Sequence, residues 1–87
     1  MHKKAVRAAV SNETRTRIIA CLGTGHKTVN ELRAVCRLSQ SAVSQHLMRL
    51  RAAGAVASEK RGRERVYRAT HPSIVRVCRS IINLIRS

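Results

Sequence analysis

Apolar residues recur three and four positions apart in five short segments, and this spacing predicts five α-helices. The predicted helices are residues 3–10, Glu13–Leu22, a segment beginning at Thr28, Ser41–Ala53 and a last helix from Pro72. The third begins with Thr28-Val-Asn-Glu31, whose Thr and Glu form the pattern of a capping box, with Val29, Leu32 and Val35 expected to face inward. Residues 55–59 and 65–69 flank the glycine-containing basic run 60–64 and predict a two-stranded hairpin. The fold class is therefore mainly α with a small β-hairpin.

Chain length predicts a single domain over residues 1–87, because a chain this short can bury only one core. That core must come from Ile, Leu, Val and Ala, since the chain has one tyrosine and no phenylalanine or tryptophan. Such a thin core favours further burial against a second copy. The last helix is apolar around much of its circumference, through Ile74, Val75, Val77, Cys78, Ile81, Ile82, Leu84 and Ile85. We therefore expect a homodimer, with this helix in its interface.

The charge balance points to nucleic acid. Lys and Arg number 18 against four acidic residues, which gives a formal charge of +14. Double-stranded DNA is the favoured partner, because single-strand and RNA platforms stack bases on several aromatic rings and only Tyr67 is present. An enzyme is not expected, since the four Glu show no pairing pattern and no glycine-rich phosphate loop is present. No cofactor is predicted.

The fourth helix carries the predicted recognition surface. Val43, Leu47 and Leu50 share an inward sector, while polar, uncharged side chains that can donate to and accept from base edges share the opposite side. Two helices with a short break between them, followed by a basic hairpin, have the order of a winged helix-turn-helix. The predicted DNA-contacting residues are Gln40, Ser41, Ser44, Gln45, His46 and Arg49 on the helix, and Arg61, Arg63 and Arg65 on the wing.

Alternatives remain open at several of these positions. Exposed Ser and Gln are ordinary on any helix surface, and His46 is either a packed rim residue or a phosphate contact. The wing arginines either enter a narrow minor groove or only keep a solvent-exposed hairpin tip soluble through their charge. The competing function is a nonspecific architectural DNA-binding protein, which would show no preference for one palindromic site.

The run LSQSAVSQHLMRLRAAGAV followed by RGRERVYRA, with ETRTRIIACLGTG and TVNEL upstream, resembles the ArsR/SmtB family of winged-helix repressors. The resemblance implies a symmetric homodimer built on the first and last helices, and recognition by the helix that holds Ser41, Ser44 and Gln45. It also implies repression that an inducer relieves. Two-fold symmetry then predicts a palindromic operator.

The resemblance also guides the search for an inducer site. Positions that hold a metal-binding Cys-x-Cys in many relatives are Thr28 and Asn30 here, and the last helix offers only His71, so no metal site is predicted. A similar subgroup senses persulfides or oxidants through one cysteine in helix two and one in the last helix. Cys21 fits that position, and Cys78 lies about two turns earlier than the subgroup implies. The hypothesis is a Cys21–Cys78 thiol switch with reactive sulfur or an oxidant as inducer; otherwise the cysteines, including Cys36, fill the core.

The sequence also predicts a cytoplasmic protein that does not enter the membrane. The start MHKKAVRAAV is basic, but its apolar run is broken by Arg7 and ends at Ser11, which does not fit an export signal. No apolar run approaches the roughly 20 residues of a membrane span. Three cysteines without paired spacing fit a reducing compartment.

Overall fold

The computed structural model describes residues 2–87, which form five helices and one three-stranded sheet. In chain order the elements are α1 (Lys3–Val10), α2 (Glu13–Leu22), β1 (Lys27–Thr28), α3 (Val29–Cys36), α4 (Gln40–Ala52), β2 (Val56–Arg61), β3 (Glu64–Ala69) and α5 (Pro72–Arg86). All five predicted helices and the predicted hairpin are present. The sheet has one strand more than predicted, because β1 pairs antiparallel with β3 and gives the order β1-β3-β2.

Side-chain caps set where α2, α3 and α4 begin. The predicted capping box is confirmed: the Thr28 hydroxyl accepts from the Glu31 amide at 3.2 Å, and the Glu31 carboxylate accepts from the Thr28 amide at 2.9 Å. Asn12 accepts from the Arg15 amide in the first turn of α2 at 3.1 Å. Ser39 caps α4, so this helix begins at Gln40, one residue before the predicted start.

All five helices and the base of the wing contribute to one aliphatic core. Val43, Leu47 and Leu50 of α4 are buried as predicted. In α3, the prediction that Val35 faces inward is wrong, because Val35 is 56% exposed and Cys36 occupies the buried position. Leu32 and Cys36 are four residues apart and share one helix face, whereas Val35 lies about 100° away from Cys36.

Arginine side chains join the helices to one another. Three of them donate to backbone carbonyls near the C-terminal ends of neighbouring helices, where such carbonyls lack intrahelical partners. The pairs are Arg15 Nε to Ala8 O at 2.8 Å, Arg17 Nη2 to Cys36 O at 2.6 Å, and Arg79 Nε to Ala20 O at 3.4 Å. A cation at a helix C-terminus is also favoured by the helix dipole. These arginines therefore have a structural role that composition alone did not reveal.

Helices α1 and α5 leave an apolar surface uncovered within the described chain. Ile74, Val75 and Cys78 of α5 are buried, but other apolar side chains of the two helices point outwards. We call the following side chains the α1/α5 surface: Val6, Val10, Val77, Ile81 and Leu84, of which Ile81 is half-buried and the others are exposed. Among residues 2–87, no helix combines the length and apolar character needed to cross a membrane.

Candidate nucleic-acid interface

A three-residue turn joins α3 to α4. Arg37 adopts the left-handed conformation with φ 56°, which a non-glycine residue adopts at some cost in backbone strain. The Leu38 amide donates back to the Arg33 carbonyl at 3.3 Å and closes the end of α3. Ser39 then opens α4. This sequence of helix, tight turn and capped helix places α4 as the second helix of a helix-turn-helix.

The two sides of α4 differ sharply in environment. One side is fully buried, and the side that carries Ser41, Ser44 and Gln45 is exposed. Within residues 2–87, the side chains of these three residues take part in no hydrogen bond to other protein groups. Met48 lies on the same side and is 67% exposed. The arrangement thus presents free donors and acceptors beside an apolar group, the mixture that major-groove edges and thymine methyl groups can bind.

His46 lies at the rim between these two sides. Its side chain is half-buried, and its Nδ1 is enclosed without a hydrogen-bond partner among the described residues. Burial lowers the pKa of His46, and the neighbouring positive charges of Arg15 and Arg49 lower it further. The imidazole is therefore kept neutral near pH 7. This supports the packed-rim interpretation more than the phosphate contact, which stays a prediction.

The first and last turns of α4 also carry exposed residues with predicted DNA contacts. Gln40 is exposed directly after the Ser39 cap. Arg49 and Arg51 are exposed in the last turn, immediately before the chain enters the wing. Both positive charges lie at the C-terminal end of the polar side and fit contacts with phosphates, which position a helix without reading sequence.

The wing is a two-residue hairpin with its basic residues at the tip. Gly62 has φ 62° at the first central position, as in a type II′ turn, and Arg63 takes the second position. Residues opposite one another in the ladder are Arg61 with Glu64 and Lys60 with Arg65. Because side chains alternate along a strand, Arg61 and Arg65 lie on opposite faces of the hairpin.

The three wing arginines differ in the hydrogen bonds that they make within the protein. Arg61 Nε contacts the Glu59 carboxylate at 2.6 Å, and this hydrogen bond and charge pair lower the pKa of Glu59. Arg65 donates to the Ser58 hydroxyl at 3.1 Å. Arg63 is exposed and has no such partner within the described chain. Arg63 is consequently the wing cation with the greatest freedom to meet a polyanion.

The cysteines lie away from this surface. Cys21 and Cys36 both line a cleft of about 530 Å³ between α2, α3 and α5. Cys78 is fully buried outside the cleft lining, and burial raises its pKa to about 11. Residues 2–87 contain no group of three or more His, Cys, Asp or Glu side chains arranged to hold a metal ion. The sequence interpretation of Cys36 as core filling missed its position beside Cys21, which depends on how α3 packs on α2.

Comparison with known proteins identifies the family. The family described as bacterial regulatory protein, arsR family, matches residues 12–58, more than half of the chain. The chain belongs to the ArsR family. The match spans α2, the helix-turn-helix and the first part of the wing, so the resemblance inferred from sequence is confirmed.

Three solved structures have the same architecture as this ArsR-family chain. HlyU from Vibrio cholerae is 32% identical with a TM-score of 0.77, and the alignment covers 98% of this chain and 95% of HlyU. The transcriptional repressor BigR from Xylella fastidiosa is similar in fold at 22% identity and a TM-score of 0.79, with 94% of this chain and 83% of BigR covered. A homodimeric winged helix-turn-helix DNA-binding domain from Mycobacterium bovis, at 20% identity and a TM-score of 0.76, aligns over 98% of this chain and 78% of its own. No curated protein sequence matches the chain.

These similarities confirm the predicted class. The protein is a transcriptional regulator with the winged helix-turn-helix fold of DNA-binding domains, and its family and neighbours are regulators, not enzymes.

Proposed function

We propose that this ArsR-family regulator is a repressor that binds a palindromic DNA operator as a homodimer and reads it with α4. One observation carries the proposal: α4 has one side buried in the core and an opposite side whose Ser41, Ser44 and Gln45 side chains are exposed and make no hydrogen bond to the rest of residues 2–87. A helix held so firmly on one side can present the other to a major groove in a fixed orientation.

The polar side of α4 accounts for sequence preference in this proposal. A glutamine carboxamide can bond adenine through two hydrogen bonds, and a good bidentate pair discriminates by about 1–3 kcal/mol. Gln45 is the residue to which we assign that role. Ser41 and Ser44 accept or donate single hydrogen bonds, and Met48 contacts the apolar part of the groove. Gln40 and Arg49 extend the surface at its two ends, and His46 supports it from the rim.

The wing and the overall charge account for affinity. A formal charge of +14 draws the protein to phosphates, and each phosphate neutralised makes binding more sensitive to salt. We assign Arg63 to the minor groove, where a narrow A·T-rich segment attracts a guanidinium. Arg61 and Arg65, on the two faces of the hairpin, would then meet phosphates on either side of it.

The α1/α5 surface accounts for dimerisation. Its exposed side chains leave apolar area that a two-fold related copy would cover, and the similar Mycobacterium bovis domain is described as homodimeric. Helix-turn-helix dimers bind half-sites roughly 34–36 Å apart. One protomer measures 37 × 30 × 20 Å, so two protomers side by side are large enough to span that spacing.

Repression and its relief complete the proposal. BigR, which shares this fold, is described as a transcriptional repressor. We place the protein in the cytoplasm, where thiols stay reduced until a signal reaches them. Control through Cys21 is proposed, and the sequence hypothesis that Cys78 is its partner stays a prediction.

Selection of bound duplexes from a random DNA pool tests the function. The expected product is one palindromic motif with half-sites about one helical turn apart, bound at least roughly a thousandfold more tightly than bulk DNA. A pool without a motif would favour the architectural alternative and overturn the proposal.

Single substitutions then test which residues determine sequence preference and which contribute only affinity. Gln45→Ala should cost about 1–3 kcal/mol at one base position, whereas Arg63→Ala should weaken binding to different sequences more evenly and reduce the salt dependence. Asn30→Ala removes an equally exposed carboxamide from α3 and is the matched control, expected to leave base preference unchanged. Equal losses on every duplex for Gln45→Ala and Arg63→Ala would contradict the assigned roles.

A further inference from the structure

Cys21 and Cys36 meet where α3 packs on α2. Cys21 is half-buried in the last turns of α2, and Cys36 is the final residue of α3 and only 2% exposed. Both line the cleft between α2, α3 and α5. Cys78 is not part of that lining. The structure thus groups the three thiols differently from the sequence hypothesis, which paired Cys21 with Cys78.

Contacts with Arg17 bring Cys36 to the same helical turn as Cys21. The Cys36 sulfur lies 4.0 Å from the Arg17 carbonyl oxygen, and the Arg17 guanidinium donates to the Cys36 carbonyl at 2.6 Å. Arg17 is four residues before Cys21, so within α2 its carbonyl accepts the Cys21 amide hydrogen bond. The Cys36 sulfur is therefore held against the turn of α2 that carries Cys21.

We propose that Cys21 and Cys36 form a dithiol site that a two-electron oxidant of the peroxide class converts into an α2–α3 disulfide. The effect of the disulfide on DNA binding rests on the proposed function. The formation of the disulfide does not depend on that function. Cys78 stays a buried thiol throughout.

The two sulfurs differ in their exposure to solvent and therefore have different roles. Cys21 is the more exposed of the two, and its thiolate attacks one oxygen of the peroxide. The O–O bond breaks, and Cys21 becomes a sulfenic acid. The released hydroxide takes a proton and leaves as water. The Cys36 sulfur then attacks the Cys21 sulfur, and the S–O bond breaks. The departing hydroxide takes the Cys36 proton and leaves as a second water. Two thiols and one hydrogen peroxide thus give one disulfide and two waters.

Chemical environment supports this order of attack. Burial raises the pKa of Cys36 to about 12, and the adjacent Cys21 side chain contributes to the rise. A thiol with so high a pKa is a poor first nucleophile towards peroxide. It remains protonated and intact until Cys21 presents an electrophilic sulfur beside it, which is the role of a resolving cysteine.

A disulfide here would act on the recognition helix through a short path. Bonded sulfurs lie about 2.05 Å apart, closer than two thiols in contact, so we expect the bond to draw the end of α3 towards α2. Cys36 is followed directly by Arg37, whose left-handed conformation forms the turn into α4. Movement of α3 is consequently passed to the turn that orients α4, and oxidation weakens operator binding.

Peptide mapping tests the site directly, because trypsin places each cysteine on its own peptide. These peptides are IIACLGTGHK for Cys21, AVCR for Cys36 and VCR for Cys78. The reduced full-length protein is treated with equimolar hydrogen peroxide, free thiols are alkylated and the digest is analysed by mass spectrometry. The expected product is IIACLGTGHK joined to AVCR within one chain, with VCR alkylated. A link between IIACLGTGHK and VCR, a link between chains, or three alkylated cysteines would each overturn the proposal.

Two serine variants separate the partners. Cys78→Ser is the matched control, since Cys78 is also buried, and it should keep the disulfide while leaving no free thiol after oxidation. Cys36→Ser should lose the disulfide. If Cys36→Ser fails to fold, the number of free thiols in peroxide-treated Cys78→Ser decides the question alone. No free thiol supports a Cys21–Cys36 disulfide, and two free thiols overturn it.

DNA binding provides the second readout. Fluorescence anisotropy on the selected operator should show oxidised protein binding roughly 5- to 150-fold more weakly than reduced protein, the usual range for coupled sites, with recovery after dithiothreitol. Equal binding by both forms would overturn the regulatory effect and leave the proposed function intact. Failure of the reduced protein to prefer any operator would instead count against the proposed function, while the peptide map still decides the chemistry.

Discussion

Truncation of one side chain on the α1/α5 surface tests the proposed dimer most sharply. Leu84 lies near the end of α5 and is 74% exposed, more than any other large apolar side chain of residues 2–87. It is seven residues from Val77, so the two share a helix face. Leu84→Ala removes apolar surface that contributes little to the core of one protomer. Its effect should therefore fall on association and leave the fold of the protomer intact.

The expected magnitude follows from the exposed fraction. Full burial of a leucine side chain is worth about 1.5–3 kcal/mol, so covering the exposed three-quarters of Leu84 contributes about 1–2 kcal/mol. A two-fold interface contains this side chain twice, which doubles the loss to about 2–4 kcal/mol per dimer. The dimer dissociation constant should then rise by roughly 30- to 700-fold.

Sedimentation equilibrium over a range of protein concentrations measures that constant. Met48→Ala is the matched control, because Met48 is 67% exposed but lies on the recognition side of α4. Met48→Ala should leave dimerisation unchanged. The reasoning is refuted if Leu84→Ala shifts the constant by less than about threefold, if Met48→Ala shifts it equally, or if the unsubstituted protein is monomeric at micromolar concentration.

Three further predictions concern the folded protomer. Thr16→Val removes the hydroxyl that donates to the Ala9 carbonyl at 2.6 Å, so urea denaturation should show a loss of about 1–3 kcal/mol. Leu47→Ala empties a buried position of α4 and should cost about 2–5 kcal/mol in the same assay, with operator binding lost once the helix loosens. His46 has a folded-state pKa lowered from 6.5 by burial and by Arg15, so its stabilising effect is complete above that value and declines as the pH falls below it. His46→Gln should therefore flatten the decline in unfolding free energy as the pH falls below 6.5, and an unchanged slope would show that His46 is not its source.

Helical spacing and caps made much of this fold predictable. Val43, Leu47 and Leu50 repeat at intervals that only one face of a helix can satisfy, so the buried side of α4, and with it the exposed side, followed from sequence. The capping box at Thr28 fixed the start of α3 through contacts within four residues. Local interactions of this kind do not depend on the rest of the chain.

Features that depend on distant packing were not predictable in the same way. Strand β1 has only two residues, Lys27–Thr28, and exists because β3 offers an edge on which to pair. The choice between Val35 and Cys36 as the inward residue of α3 is set by how that helix lies on α2. The nearness of Cys21 and Cys36 has the same origin, since 15 positions separate them along the chain.

The arginines show why composition overstates the DNA-binding surface. A count of +14 treats every cation as free, but Arg15, Arg17 and Arg79 donate to carbonyls near helix ends in the protein's own interior contacts. In a chain whose core lacks phenylalanine and tryptophan, such bonds join helices that aliphatic packing alone holds weakly. Their charges still add to the long-range attraction for DNA, because charge acts at a distance. Because their guanidinium groups already bind carbonyl oxygens, we expect these three arginines to add few phosphate contacts, so the salt dependence of operator binding should be smaller than the total charge suggests.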